Sequence, residues 1–291
     1  MAKWTVAELS DQSARTVIVT GANSGVGLAT TAALATAGAR VILACRNVDK
    51  GRAAAATMPD TVEVRALDLT SLASVHAFAA SIDEPVDVLV NNAGVMAVPH
   101  RTTADGFEMQ MGTNHLGHFA LTGLLLDRLR ERVVTVSSSF HWFGHIDLDD
   151  LNWERRRYRR WAAYEQTKLA NLLFAYELAR KLEEAGSPIR SYAAHPGYVS
   201  TNLMSHTETV LDTLMALGNH AIAQTPAMGA LPTLYAATAD LPNGGFVGPG
   251  RLMWGHPKVT RSSPASHDRE KAAALWSLSE KLTNVTYTFQ R

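Results

Sequence analysis

Thr16-Val17-Ile18-Val19-Thr20 runs directly into Gly21-Ala22-Asn23-Ser24-Gly25-Val26-Gly27, and Val26 opens an alanine-rich stretch that reaches Ala37. The first five residues are β-branched throughout, as a buried strand requires, and the last stretch has helical periodicity. Glycines placed between a strand and a helix permit a tight turn. They also let backbone N–H groups approach a phosphate and let the helix pack closely on the strand. The helix N-terminus adds partial positive charge at the same point. The spacing, G-x-x-x-G-x-G, departs from the G-x-G-x-x-G dinucleotide fingerprint, so the turn alone could be a simple chain reversal. Its position after a strand and before a helix favours a pyrophosphate cradle.

Outward from this unit the pattern repeats. Strands are expected at Thr16–Thr20, Arg40–Ala44, Val62–Ala66, Val86–Val90, Val133–Ser137 and Ile189–His195. Most are apolar throughout, as parallel strands covered on both faces are. Helices are expected at Val26–Ala37, Val48–Met58, Leu72–Ser81, Met111–Arg130, Ala162–Ala185 and Pro226–Ala239. The alternation predicts an α/β fold: a single doubly wound Rossmann-type domain over 1–291, with a parallel sheet of about seven strands and helices on both faces. Between Ser200 and Thr225 the periodicity loosens, which suggests a substrate lid near 200–225. A further helix is expected at Ser266–Leu282, packed on the sheet edge.

Composition narrows the function classes. With 46% hydrophobic and 19% charged residues the chain can bury a sizeable core. Its 27 basic and 27 acidic side chains cancel, so the basic footprint of a nucleic-acid binder is missing. Cys45 is the single cysteine, which excludes an intrachain disulfide and fits a reducing, cytoplasmic setting. No apolar run is long enough to span a bilayer. His141 and His145 are four apart but lack a third ligand, so no metal is expected.

The chemistry-bearing residues gather at the ends of the expected strands. The second strand ends Leu43-Ala44-Cys45-Arg46, where a carboxylate would bind the ribose 2′-OH of NAD. Arg46 would instead pair with a 2′-phosphate, which favours NADP. Asn91-Asn92-Ala93-Gly94 follows the fourth strand, Asn114 lies in a helical run, and Ser137, Ser138 and Ser139 close the fifth strand. Tyr164 and Lys168, four apart on a helix, share one face. An ammonium beside the phenol is expected to lower the tyrosine pKa from about 10, tuning it as a proton donor and acceptor.

Taken in order, Thr20-to-Gly27, Asp68, Asn91-to-Gly94, Asn114, Val136-Ser137-Ser138, Tyr164-to-Lys168 and Pro196-Gly197 make a chain that resembles the short-chain dehydrogenase/reductase family over nearly all its length. The resemblance implies a hydride transfer between nicotinamide and a carbonyl carbon, with Tyr164 as acid/base and Ser138 holding the substrate oxygen. Ser137 and Ser139 remain alternatives. Lys168 would contact the nicotinamide ribose and bias Tyr164, and Asn114 would hold a water in the proton relay. Gly21, Asn23, Ser24, Gly25, Val26 and Gly27 would cradle the phosphates. Asp68 and Leu69 would meet adenine, and Asn91, Ala93 and Gly94 would line the groove. Pro196, Gly197, Val199 and Thr201 would border the carboxamide.

Within the family the chain looks like the branch containing retinol dehydrogenases and protochlorophyllide reductases, on Ala44-Cys45-Arg46-Asn47, Asn114-His115-Leu116-Gly117-His118-Phe119 and Tyr164-x-x-Thr167-Lys168-Leu169-Ala170-Asn171. Members of that branch generally prefer NADP. The photochemical reductases carry a cysteine in the lid, and Ser200–Thr225 has none, which disfavours C=C reduction. A catalytically silent NADP-binding sensor or scaffold is the rival class, and the complete Tyr/Lys/Ser/Asn set argues against it. Met204, Leu211, Leu214, Met215, Leu217 and Ile222, with Phe140, Trp142 and Phe143, would wall a pocket for a bulky apolar small molecule. The run Arg155-Arg156-Arg157-Tyr158-Arg159-Arg160 reads as a solvated loop, or as a rim attracting an anionic substrate. A homo-oligomer is left open.

Overall fold

The computed structural model describes residues 3–199 and 223–289. Eight strands, β1 (Thr16–Thr20), β2 (Arg40–Cys45), β3 (Val62–Ala66), β4 (Val86–Asn91), β5 (Leu129–Val136), β6 (Arg190–Ala194), β7 (Phe246–Arg251) and β8 (Trp254–Val259), form one sheet in the order β3-β2-β1-β4-β5-β6-β7-β8. Seven run parallel, and β8 is antiparallel to β7. The helices are α1 (Gly25–Thr36), α2 (Val48–Ala55), α3 (Leu72–Ala80), α4 (Gly117–Leu125), α5 (Arg160–Glu184), α6 (Pro226–Thr238) and α7 (Arg269–Thr283). This is the expected doubly wound Rossmann-type domain with one strand more than anticipated.

The apolar character of the strands follows from their cover. Val17 and Val19 of β1, Val41 and Leu43 of β2, and Val88 and Val90 of β4 enter one core with Leu34 of α1 and Leu231 and Leu234 of α6. Their neighbours Ile18, Ile42 and Leu89 enter the other, with Phe78 of α3, Phe119 of α4 and Phe174 of α5. Successive strand side chains point to opposite faces, and here both faces are buried. Each such side chain contributes roughly 1.5–3 kcal/mol of apolar burial. The chain adds β2 and β3 on one side of β1 and returns to place β4 on the other. That reversal opens a crevice beyond the C-terminal ends of β1 and β4.

Three expectations need correction. The helix foreseen at Met111–Arg130 is broken: a single turn at Met109–Met111, a π-helical turn at Gly112–Leu116, then α4, with β5 already begun at Leu129. Gly117, where α4 begins, lets the loop after β3 come close, because a Cβ there would lie 2.6 Å from the Leu69 carbonyl oxygen. Strands β7 and β8 were not foreseen because Pro249, Pro257 and several glycines mask their β signal. The C-terminal helix packs on α5 and α4 rather than on the sheet edge. Its Trp276 stacks on Phe174 at 5.8 Å and meets Phe119 edge-on at 5.1 Å. Most of the expected lid, 200–222, lies outside the described residues, together with its six Met, Leu and Ile residues.

Candidate active site

The register of the sheet brings Thr20, Ala44, Asn91, Val136 and Ala194 to one edge, so the loops that follow them leave the sheet together. Gly21 (φ +63°) and Gly25 (φ +56°) take the left-handed conformation that glycine adopts without strain. A Cβ on Gly21 would lie 2.9 Å from Cα and Cβ of Ala93, and one on Gly27 would lie 2.7 Å from the Gly21 carbonyl oxygen. The loops after β1 and β4 therefore touch at the switch point, and only glycine fits. Ser24 N-caps α1 in an extended conformation, with Asn23 beside it and Val26 buried in the first turn. That turn holds no acidic residue, so its positive end is left uncompensated.

Beneath the cradle lies a polar node that sequence reasoning missed. The Thr20 hydroxyl accepts the N–H groups of Asn92 and Ala93, both at 2.9 Å, and sits 2.8 Å from His118 Nε2. His118 Nδ1 donates to the Asn114 carbonyl at 3.1 Å, which leaves Nε2 to accept the Thr20 proton. Burial holds the His118 pKa down to about 4, so the ring is neutral near pH 7. Thr20 and His118 were both within the quoted motifs, but no spacing rule joins residues 98 apart.

At the adenosine end, Arg46 is exposed just past β2, and Asn47 caps α2 by accepting the Lys50 N–H at 2.9 Å. Asp68 Oδ1 accepts the N–H and hydroxyl of Thr70 at 3.0 and 2.7 Å, which fixes the loop after β3, and Leu69 is buried beside Gly117. The Asn91 side chain does not face the groove as expected. It is fully buried and donates to Thr122 of α4 at 2.9 Å. The groove wall is the chain of Asn92, Ala93 and Gly94.

Ser137 and Ser138 separate clearly. Ser137 is buried and donates to the Lys168 carbonyl at 2.7 Å. Ser138 hydrogen-bonds the Tyr164 phenol and accepts the Phe140 N–H at 3.3 Å. Tyr164 is 4% exposed on α5. The expected fall in its pKa is not found: burial pushes it up to about 12, against the lowering effect of Ser138. Lys168 stands one turn on, its Nζ 5.5 Å from the Tyr164 ring centre and 3.3 Å from the Val136 carbonyl oxygen. The same burial brings Lys168 down to about 8, since removing water disfavours the charged form of both groups. A Cβ at Gly94 would lie 3.6 Å from Lys168 Nζ, so the cradle wall and the Tyr/Lys pair are adjacent. The Asn114 side chain is fully engaged, accepting the Val95 N–H at 2.8 Å and donating to Val95 O and Thr167 Oγ1. It sits in the π turn, a device common at functional sites.

Past β6, Gly197 (φ +74°) passes so close to the Met253 carbonyl that only glycine fits, and Pro196 precedes it. Val199 and Val26 both pack on Gly229 of α6. Thr201 lies outside the described residues. Around Tyr164, Phe140 meets the phenol ring edge-on at 5.9 Å and stacks on Trp161 at 5.4 Å, and Phe143 is 74% exposed beside it. The arginine run is not uniformly solvated. Arg156 pairs with Asp147 and Asp150 over the Trp153 ring, and the Tyr158 hydroxyl donates to buried Glu108 at 2.9 Å. Arg155, Arg157 and Arg159 face solvent. Among the described residues no helix is long and apolar enough to cross a membrane, and no three His, Cys, Asp or Glu side chains gather as a metal site.

Known proteins resemble this chain in sequence and fold. Residues 15–148 match the sequence model of the short chain dehydrogenases. Human retinol dehydrogenase 13 is 44% identical, the alignment covering 93% of this chain and 85% of that protein. The crystal structure of an uncharacterised protein from Mycobacterium paratuberculosis is 52% identical, with a TM-score of 0.88 over 99% of this chain and 100% of that one. A structure from Beutenbergia cavernae, described as an NAD(P)-dependent gluconate 5-dehydrogenase with bound NADP, is 26% identical, with a TM-score of 0.63 over 80% of this chain and 94% of that one. With a glycine cradle at the switch point and half-buried Ser138 beside the buried Tyr164 and Lys168, the chain belongs to the short-chain dehydrogenase/reductase family of oxidoreductases, on the branch of the retinol dehydrogenases.

Proposed function

We propose that this chain is an NADP-dependent oxidoreductase that interconverts a carbonyl and an alcohol on a bulky apolar molecule. The observation that carries the reading is the meeting of half-buried Ser138 with the buried Tyr164 phenol, one helical turn from buried Lys168 and across Gly94 from the cradle. The left-handed glycines that shape the turn after β1, and the uncompensated α1 N-terminus, fit a pyrophosphate. Exposed Arg46, with no carboxylate ending β2, fits a 2′-phosphate, and the relative that carries NADP is consistent with that choice. Asp68 and Leu69 would border the adenine, and Pro196, Gly197, Val199 and Thr201 the carboxamide. When bound, the nicotinamide supplies or takes the hydride.

The side chains divide the remaining work. Ser138 donates a hydrogen bond to the substrate oxygen and fixes it beside the phenol. In reduction, Tyr164 gives its proton to that oxygen as negative charge develops there. With its pKa near 12 in the unliganded protein, the phenol holds this proton at neutral pH and stands ready as a donor. Lys168, cationic below about pH 8, stabilises the phenolate left behind, and a water at the π turn beside Asn114 would return the proton from solvent. Phe140, Trp161 and Phe143 give the substrate an apolar approach. A reducing cytoplasm fits the single cysteine.

The test is a fluorescence titration with NADPH and NADH, followed by turnover on aldehydes, ketones and secondary alcohols, with retinaldehyde included because a relative is named for retinol. NADPH should bind more tightly. Arg46→Ala should weaken NADPH by about 1–3 kcal/mol, the scale of a charge-assisted hydrogen bond, and leave NADH nearly unchanged. Equal losses for both would overturn the 2′-phosphate assignment. A preference for short polar sugars would overturn the apolar substrate.

A further inference from the structure

The sequence offers His141 and His145 as an i,i+4 pair without a metal role, and the structure takes His141 away from the surface altogether. It is 1% exposed, in the 3-10 turn Ser139–Phe143 whose N-cap is Ser138. Its ring Nδ1 lies 2.6 Å from the Ser138 carbonyl oxygen, which also accepts the His141 N–H at 3.1 Å. Its Nε2 accepts the backbone N–H of Ser263 at 3.1 Å. A backbone N–H can only donate and a carbonyl only accept, so the ring has one permitted state: Nδ1 protonated, Nε2 bare, no charge. Ser263 follows β8 and is itself buried, with its carbonyl held by the Ser266 hydroxyl at 2.6 Å. The ring edge rests on Phe246 of β7 at 5.5 Å, and Phe246 stacks on His195 at 5.3 Å. His195 Nδ1 in turn takes the Gly197 N–H at 3.3 Å.

We infer that His141 is a positioning residue: it clamps the backbone of Ser138 against the β7–β8 end of the sheet, so that the serine hydroxyl holds its place beside Tyr164. This rests on the reading of Ser138 above. A hydroxyl aimed at a developing alkoxide acts only if it is already in place, and among the described residues the Ser138 carbonyl is held by no side chain but His141. The antiparallel edge of the sheet thereby acquires a role at the site without contributing a side chain to it.

The experiment measures kcat with NADPH and decanal for Ser138→Ala, His141→Phe, the double variant and His141→Asn, each checked by thermal melting. Phe keeps the ring packing on Phe246 and removes both hydrogen bonds. Asn places an N–H donor near Nδ1 and keeps the bond to Ser138. Ser138→Ala should lower kcat about 10²-fold, the lower end for a lost oxyanion donor. His141→Phe should lower it about tenfold with NADPH affinity unchanged, and the double variant should be no slower than Ser138→Ala, because coupled groups are not additive. His141→Asn, which keeps the Ser138 bond and drops the Ser263 anchor, should stay near His141→Phe, and full recovery of kcat would overturn the inference by showing that no link to the β7–β8 end is needed. Losses that multiply in the double variant, or parental kcat in a well-folded His141→Phe, would overturn the inference. Parental kcat in Ser138→Ala would instead remove the serine assignment, and this inference with it.

Discussion

The two sides of the crevice are built on opposite principles. On the cradle side, the Thr20 hydroxyl accepts two N–H groups and reaches His118, and every donor in that node has an acceptor. On the chemical side, burial opposes the ionised forms of both Tyr164 and Lys168, raising one pKa to about 12 and lowering the other to about 8. A matched neutral network holds a loop in place at no electrostatic cost. Burying the Lys168 ammonium costs stability, and burying the pair gains proton affinities that the site can use. The difference separates what positions the cofactor from what moves the proton, and mutations on the two sides should give opposite signatures.

The largest contrast should come from Tyr164→Phe. Removing one hydroxyl should lower turnover by about two to four orders of magnitude, the span of a lost general acid, while NADPH affinity and melting temperature stay near the parent. A folded variant with near-parental turnover on its best substrate would place the chemistry elsewhere. Thr20→Val changes the other side with almost no change of shape. It strands the N–H of Ala93 and the bare Nε2 of His118, while Asn92 keeps the Val90 carbonyl, a loss of about 1–3 kcal/mol in urea unfolding, with weaker NADPH binding following from a loosened loop. Stability within about 0.5 kcal/mol of the parent, ordinary for a surface change, would mean the node is not what fixes the cradle.

The same contrast explains what could be read from the chain. Val17-Ile18-Val19 and its counterparts in β2 and β4 are apolar on both faces, so their parallel pairing was legible, as were the glycines at 21, 25 and 27. Tyr164 and Lys168 were legible because helical spacing puts them on one face. The rest depends on contacts between distant residues. Nothing local joins Thr20 to His118 or Ser263 to His141, and the Gly- and Pro-containing β7 and β8 that carry the second contact lack a strand's pattern. The expected direction of the Tyr164 shift failed for a related reason. Adjacency to an ammonium was visible in the spacing, whereas the depth of burial that outweighs it is a property of the packed α5 and β5.

The remaining effect, on stability, is the one of unexpected sign. Replacing Lys168 by Met should abolish efficient turnover and yet stabilise the unliganded fold. The Lys168 pKa falls from 10.5 to about 8 in the folded chain, so between those pH values the unfolded chain holds a proton that the folded one has released. Stability of the parent therefore rises with pH across this window, and below pH 8 it carries the full cost of a buried ammonium, about 3 kcal/mol at most. Met fills the same channel without charge. The one hydrogen bond lost is to the Val136 carbonyl, which the Asn171 amide still satisfies at 3.0 Å. Urea unfolding at pH 7 should show Lys168→Met ahead of the parent by about 1–3 kcal/mol, the margin shrinking as pH climbs from 8 towards 10.5. A variant less stable than the parent, or a margin flat across that window, would mean that the ammonium is solvated or paired in the folded chain, and that the two sides of the crevice are not built differently after all.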